Sequence, residues 1–234
     1  MSAEIQLLLW VLGTFAIGCI GLIAANSASR GRGSLSDTTI GGITAEVSQF
    51  VFYIGLPFAA VITGALSLDL LGLGMSWTDG RHIAGFTVDE WARGAVIAAA
   101  VAVFVLLTLR WSSRGTAADT NQHEGTFASI RNAFYEQTHW AFYRAPFILL
   151  LNDALFGVMV GTGLIALEWL AHAVIHRNAA RSPARWWVMV CCVLAGGLLF
   201  LLTQNLWLMF ATDLVIRIGS ERMLIANETK NLTG

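Results

Sequence analysis

The stretch AFYRAPFILLLNDALFGVMVGTGLIALEWL, Ala141–Leu170, lies inside a longer apolar run from Phe127 to His176, and the way that run divides decides the fold. A membrane-spanning helix needs about 20 mostly apolar residues, because lipid offers its backbone amides no partners. The run is too long for one such helix. Asn152-Asp153 interrupts it with two residues that favour turns over helix interiors. We therefore read a polar-faced helix over Phe127–Leu151, a tight turn, and a second helix over Ala154–His176. A single long tilted helix preceded by an interfacial one fits the same residues.

Working outward, four further stretches qualify as spans: Ile5–Asn26, Phe50–Leu73, Gly94–Trp111 and Trp186–Ala211, leaving 212–234 as a tail. The expected fold is an all-α polytopic integral membrane protein, one membrane domain over 1–234 with about six transmembrane helices in a bundle. Composition agrees, since only 12% of the 234 residues are charged, against roughly 25% in an ordinary soluble domain. The first apolar run could imitate a signal peptide, but it carries Glu4 in place of a basic leader and lacks a small-x-small cleavage site. The expectation is a retained helix.

Charge supplies orientation. Arg30 and Arg32 follow the first span, Arg110 and Arg114 the third, and Arg177, Arg181 and Arg185 precede the last. Six crossings put all three groups on one side. The positive-inside rule makes that side cytoplasmic and both termini non-cytoplasmic, and a bacterial plasma membrane is the expected location. Trp77, Trp91, Trp111, Trp186 and Trp187 fall near span ends, as interfacial anchors do. Ser27–Thr44 and Ser112–Glu124 are polar linkers. A formal net charge of -1 and scattered basic residues exclude a nucleic-acid partner. Cys19, Cys191 and Cys192 all lie in apolar runs and form no C-x-x-C pair, so they read as small core or lipid-facing residues.

The candidate site comes from ionisable residues where they are expensive. Glu136, His139 and Tyr143 stand at i, i+3 and i+7 and share one helix face, with Arg144 at its edge. Glu168, His172 and His176 make a second stripe, and Asp213 and Arg217 are four apart. Such residues face a bundle interior, where they pair or neutralise. The bland alternative for each is an interhelical hydrogen bond. A di-iron bundle needs two Glu-x-x-His units and two further carboxylates, and only one unit is here. His172 and His176 have a zinc-like spacing without the His-Glu-x-x-His order, so no metal is assigned. The sequence requires no cofactor. A pigment or haem would take neutral His139 or His172 as its ligand.

Three stretches together resemble the CAAX-protease and bacteriocin-processing family of intramembrane proteases. HWAFYR, His139–Arg144, is similar to its first motif, in which a Glu-Glu pair precedes an aromatic-Arg pair; His139 and Trp140 stand in place of the glutamates. EWLAH, Glu168–His172, is similar to its Phe-x-x-x-His motif, with Glu in place of Phe. TQNLWLMFATDLVIR is similar to the Leu-Trp stretch before its His-x-x-x-Asn, with Asp213 and Arg217 where His and Asn belong. GLGMSWTDGR looks like the family's loop. The resemblance covers most of 50–217 and implies a glutamate that activates water, with His and Asn steadying the oxyanion. Arg144 and His172 match, and Glu136 is displaced by one turn from the acid position.

With both acids and the terminal His and Asn replaced, the expectation is a pseudoprotease, a non-enzymatic accessory or scaffold subunit among other integral membrane subunits in the lipid bilayer. The alternatives are an active peptidase using Glu136, His139, Arg144 and His172, and a pigment- or haem-binding subunit. Transport comes last, for want of an inverted repeat or paired broken helices.

Overall fold

A computed structural model of the chain describes residues 2–31, 39–74, 82–112, 125–175 and 183–233. His176, Arg32, Arg114, Arg177, Arg181 and Trp77 lie outside the described residues, as do the side chains of Arg30, His172 and Arg185. The protein is almost wholly helical: α1 (Ala3–Gly31), α2 (Thr39–Phe50), a π-helical turn (Val51–Gly55), α3 (Leu56–Ile62), α4 (Val88–Ser112), α5 (Thr126–Leu151), α6 (Ala154–Ile175), α7 (Pro183–Thr203) and α8 (Leu206–Thr233). A short hairpin, β1 (His82–Ile83) with β2 (Phe86–Thr87), precedes α4. Five stretches among the described residues are long and apolar enough to cross a bilayer: Glu4–Gly21, Ile43–Ile62, Val88–Trp111, Ala154–Ala171 and Trp186–Thr203. The chain is an all-α integral membrane protein.

Two compact units divide it, one of residues 1–70 with 138–180, the other of 71–137 with 181–234. In the first unit α1 packs on α6 and on α3. The helix of the second span starts at Thr39 and ends at Ile62, where Phe50–Leu73 was expected. Pro57 explains its irregularity. Proline has no N–H to bond the carbonyl four residues back, and its ring crowds that carbonyl, so the helix opens into a π turn at Val51–Gly55 just before it. The helix stops where the Thr63 hydroxyl donates to the Ala59 carbonyl and Gly64 turns to φ +74°.

Between α5 and α6, Asn152 adopts φ +48° and the Asp153 carboxylate accepts from the Phe156 amide at 2.9 Å, capping α6. The two helices then run back to back on glycine. A Cβ on Gly157 would stand 2.5 Å from the Ile148 backbone, and one on Gly161 2.6 Å from Arg144 Cα. Two glycines one turn apart thus let the backbones meet, the usual device where no hydrophobic effect drives helices together.

The second unit is built on α4, α7 and α8. Its hairpin turns through Ala84 and Gly85, both at positive φ, and Thr87 and Glu90 then form a capping box: Glu90 Oε2 accepts from the Thr87 amide at 2.7 Å while Thr87 Oγ1 accepts from the Glu90 amide at 3.3 Å. The last span differs from the Trp186–Ala211 expected. α7 stops at Thr203, Gln204 takes φ +46°, and Asn205 Oδ1 caps a new helix by accepting from Trp207 at 3.0 Å and Leu208 at 3.2 Å. The Leu206 amide donates to the Gly72 carbonyl at 2.7 Å. Residues 212–233, expected as a tail, belong to α8. Gly94 lies against Leu208 and Gly219 against Leu106, so α8 runs alongside α4 in the same direction. The linker expected over Ser27–Thr44 is helical at both ends, 27–31 and 39–44.

Candidate functional site

The glycine contact between α5 and α6 sets a register. Moving along α6 from Gly161 by about two turns brings Glu168 opposite His139, with His139 Nε2 and Glu168 Oε2 3.3 Å apart. Both are buried, at 0% and 7% exposure, so neither is hydrated as an isolated ion would require. Aromatic rings close around the imidazole: Tyr143 at 4.2 Å between centroids, Phe52 at 4.8 Å and Tyr53 at 5.0 Å. Phe52 and Tyr53 belong to the π turn, so the irregularity imposed ahead of Pro57 faces the site. The Tyr143 phenol neighbours Glu168, Tyr53 and Cys19 of α1. Among the described residues His139 Nδ1 and the Tyr143 hydroxyl have no hydrogen-bond partner. Trp140 and Trp169 meet edge to face at 5.6 Å on the same helix pair, and Arg144 is fully buried against Gly161.

Glu136 goes elsewhere. In the second unit its Oε2 accepts from Arg217 Nη2 at 2.5 Å, and Asp213 takes the same guanidinium through Nε, both carboxylate oxygens at 3.1 Å. Asp213 and Arg217 lie one turn apart on α8, on the helix that the Gln204–Asn205 reversal creates. The Cys192 thiol of α7 faces Asp213. Gln137, the next residue of α5, is fully buried beside Gly196 with neither amide atom hydrogen-bonded among the described residues. Phe134 stacks on Trp207 and meets Phe210 edge to face.

The expected single face of Glu136, His139 and Tyr143 is thus shared out. His139, Tyr143 and Glu168 come together; Glu136, Asp213 and Arg217 come together. The side chain of His172 lies outside the described residues. Residue patterns missed Phe52, Tyr53, Gln137 and Cys192, all of which look like ordinary apolar-span residues or their neighbours. Pro57 was the one signal that could have marked the π turn.

A carboxylate that holds an imidazole by one nitrogen can orient it for proton transfer through the other. A guanidinium shared by two carboxylates does something different, which is to cancel charge. Among the described residues no three His, Cys, Asp or Glu side chains are grouped to hold a metal ion. Comparisons of the chain with models of known families, with curated proteins and with solved structures find no match.

Proposed function

We propose that the chain is a non-catalytic accessory or scaffold subunit of a larger membrane complex, a pseudoprotease resembling the CAAX-protease type. The observation that carries this reading is the ion triad of Glu136, Asp213 and Arg217. Glu136 is the carboxylate nearest the acid position of the resembled motif, and a carboxylate held by a guanidinium is a weak base toward water, since taking a proton means giving up the pair. Asp213 and Arg217 stand where that motif has its His and Asn. Engaged with one another and with Glu136, they are committed to ion pairing at the positions where the motif has its oxyanion partners.

One observation favours a second reading, a peptidase with an altered site: a carboxylate and an imidazole do meet, at His139 and Glu168. Purified protein in bilayer nanodiscs, offered prenylated and signal-type peptides, separates the two. Absence of cleavage supports the subunit reading. Cleavage that is lost in Glu168→Gln and kept in Glu136→Gln establishes the other.

A mild-detergent pull-down from native membranes, read by mass spectrometry and an absorption spectrum, tests the rest. Stoichiometric membrane partners are the expected result, and an active, monodisperse monomer would overturn it. A visible band lost in His139→Leu would instead make this a pigment or haem subunit. We place the chain in a bacterial plasma membrane with its N-terminus outside. The C-terminus lies on the same non-cytoplasmic side, as six crossings require, with the arginines after the first and third spans and before the last on the cytoplasmic side. Protease protection of tags at the two ends checks this.

A further inference from the structure

The Gln137 amide is fully buried in the second unit, and among the described residues neither its Oε1 nor its Nε2 has a hydrogen-bond partner. Buried amides are rarely left so, since protein or ordered water supplies a partner for the large majority. What this one touches is Gly196 of α7, where a Cβ would stand 3.0 Å from Oε1 and 3.3 Å from Nε2. Glycine has no side chain to answer either atom, and Gly196 lies in the interior of α7, where backbone groups bond along the helix.

The same face of α7 borders the ion triad. Cys192 lies one helical turn before Gly196, and its thiol faces Asp213. Glu136 is the residue before Gln137 on α5. Amide and triad therefore share one strip of α7 between Cys192 and Gly196, and both of those residues fall inside the span Trp186–Thr203, at membrane depth. The triad is not sealed within the protein, since the Arg217 and Glu136 side chains keep 15% and 18% exposure. Lipid is an expensive neighbour for a guanidinium at that depth, where such groups face the bundle interior or a water-filled cavity. Water that reaches the triad finds carboxylate oxygens to donate to. One turn along α7 it finds an amide offering a donor and an acceptor, which completes the two to four partners that an internal water needs.

We propose that water enters the second unit beside Arg217 and Glu136 and runs along this strip of α7 to the Gln137 amide, a hydrated crevice that serves the charged cluster at membrane depth. The crevice rests on the geometry of the triad and stands or falls separately from the accessory-subunit reading. The test is X-ray hydroxyl-radical footprinting of the unaltered full chain in nanodiscs. The radicals form from water and mark the side chains it reaches, and tandem mass spectrometry locates each oxidation. Cys191 and Cys192 are neighbours of the same chemistry, but Cys191 is partly exposed whereas Cys192 is 1% exposed. In a dry unit Cys191 reacts faster, as its exposure dictates. Water in the crevice reverses the order, and Cys192 is expected to react several-fold faster than Cys191. Gln137→Leu removes the deepest partner of that water and should bring Cys192 down toward the rate of Cys191. Cys191 reacting as fast as Cys192, or faster, in the unaltered chain overturns the proposal and requires no variant to fold. A fast Cys192 that a folded Gln137→Leu leaves unchanged also overturns it, because the amide then holds no part of that water.

Discussion

Glu136 and His139 are three residues apart on one helix, yet the polar clusters they join are built on different chemistry. His139 meets a single carboxyl group in a pocket of rings. Glu136 meets a guanidinium, which keeps its charge and needs carboxylates to cancel it. Exposure does not separate the two: in the charged cluster Arg217 and Glu136 side chains keep 15% and 18% but Asp213 keeps 1%, and in the other His139 keeps 1% and Glu168 9%. What separates the sites is the partner, a carboxyl group for an imidazole in one and a guanidinium for two carboxylates in the other.

Breaking the charged cluster should therefore cost most. Arg217→Met removes the cation and leaves Glu136 and Asp213 facing each other across its place. The expected loss is about 3–5 kcal/mol, the range for an uncompensated buried charge, seen as a large fall in midpoint in denaturant or thermal unfolding in detergent. Arg217→Lys should fall between, since an ammonium replaces the charge but cannot reach both carboxylates through separate nitrogens. A neutral effect of Arg217→Met would mean the carboxylates hold protons of their own, and the contrast between the two clusters would collapse.

The His139–Glu168 cluster is more sensitive to backbone approach than to charge. Gly161→Ala puts a methyl 2.6 Å from Arg144 Cα, contact with backbone that no rotamer change relieves. α6 must move away from α5, taking Glu168 from His139. The expected cost is about 1–3 kcal/mol, that of overpacking a tight interface. Gly163 meets nothing within 4 Å, so Gly163→Ala is the matched control and should be near neutral.

Legibility followed the same physics. The break at Asn152-Asp153 can be read because both residue types favour turns and interrupt an apolar run. Gln204-Asn205 is also polar, but apolar residues continue on both sides, so a hydropathy window averages through it and the reversal is lost. Asn205→Ala tests that cap, with an expected cost of about 1 kcal/mol. The ion triad was hidden for this reason. Asp213 and Arg217 are visible as an i, i+4 pair, but only a turned-back α8 brings them to Glu136. The His139–Glu168 contact needed a register set by Gly157 and Gly161, whose spacing is legible while the backbone they approach is not.

Glu168→Gln is the mildest test of the comparison. The amide keeps the size of the carboxyl group and can still donate to or accept from His139 Nε2, so a hydrogen bond between the two positions remains possible in either tautomer. One membrane hydrogen bond is worth about 0.6 kcal/mol on average, and the variant should cost no more than that. Glu168→Leu removes the partner and should cost more, while His139→Leu combined with Glu168→Leu should recover part of the loss, because two apolar groups leave nothing unsatisfied. The decisive measurement is the coupling energy from the full cycle by detergent unfolding. A coupling as large as that of the Arg217 cluster would mean the two clusters are held by interactions of the same strength, and the contrast drawn between them would then be wrong.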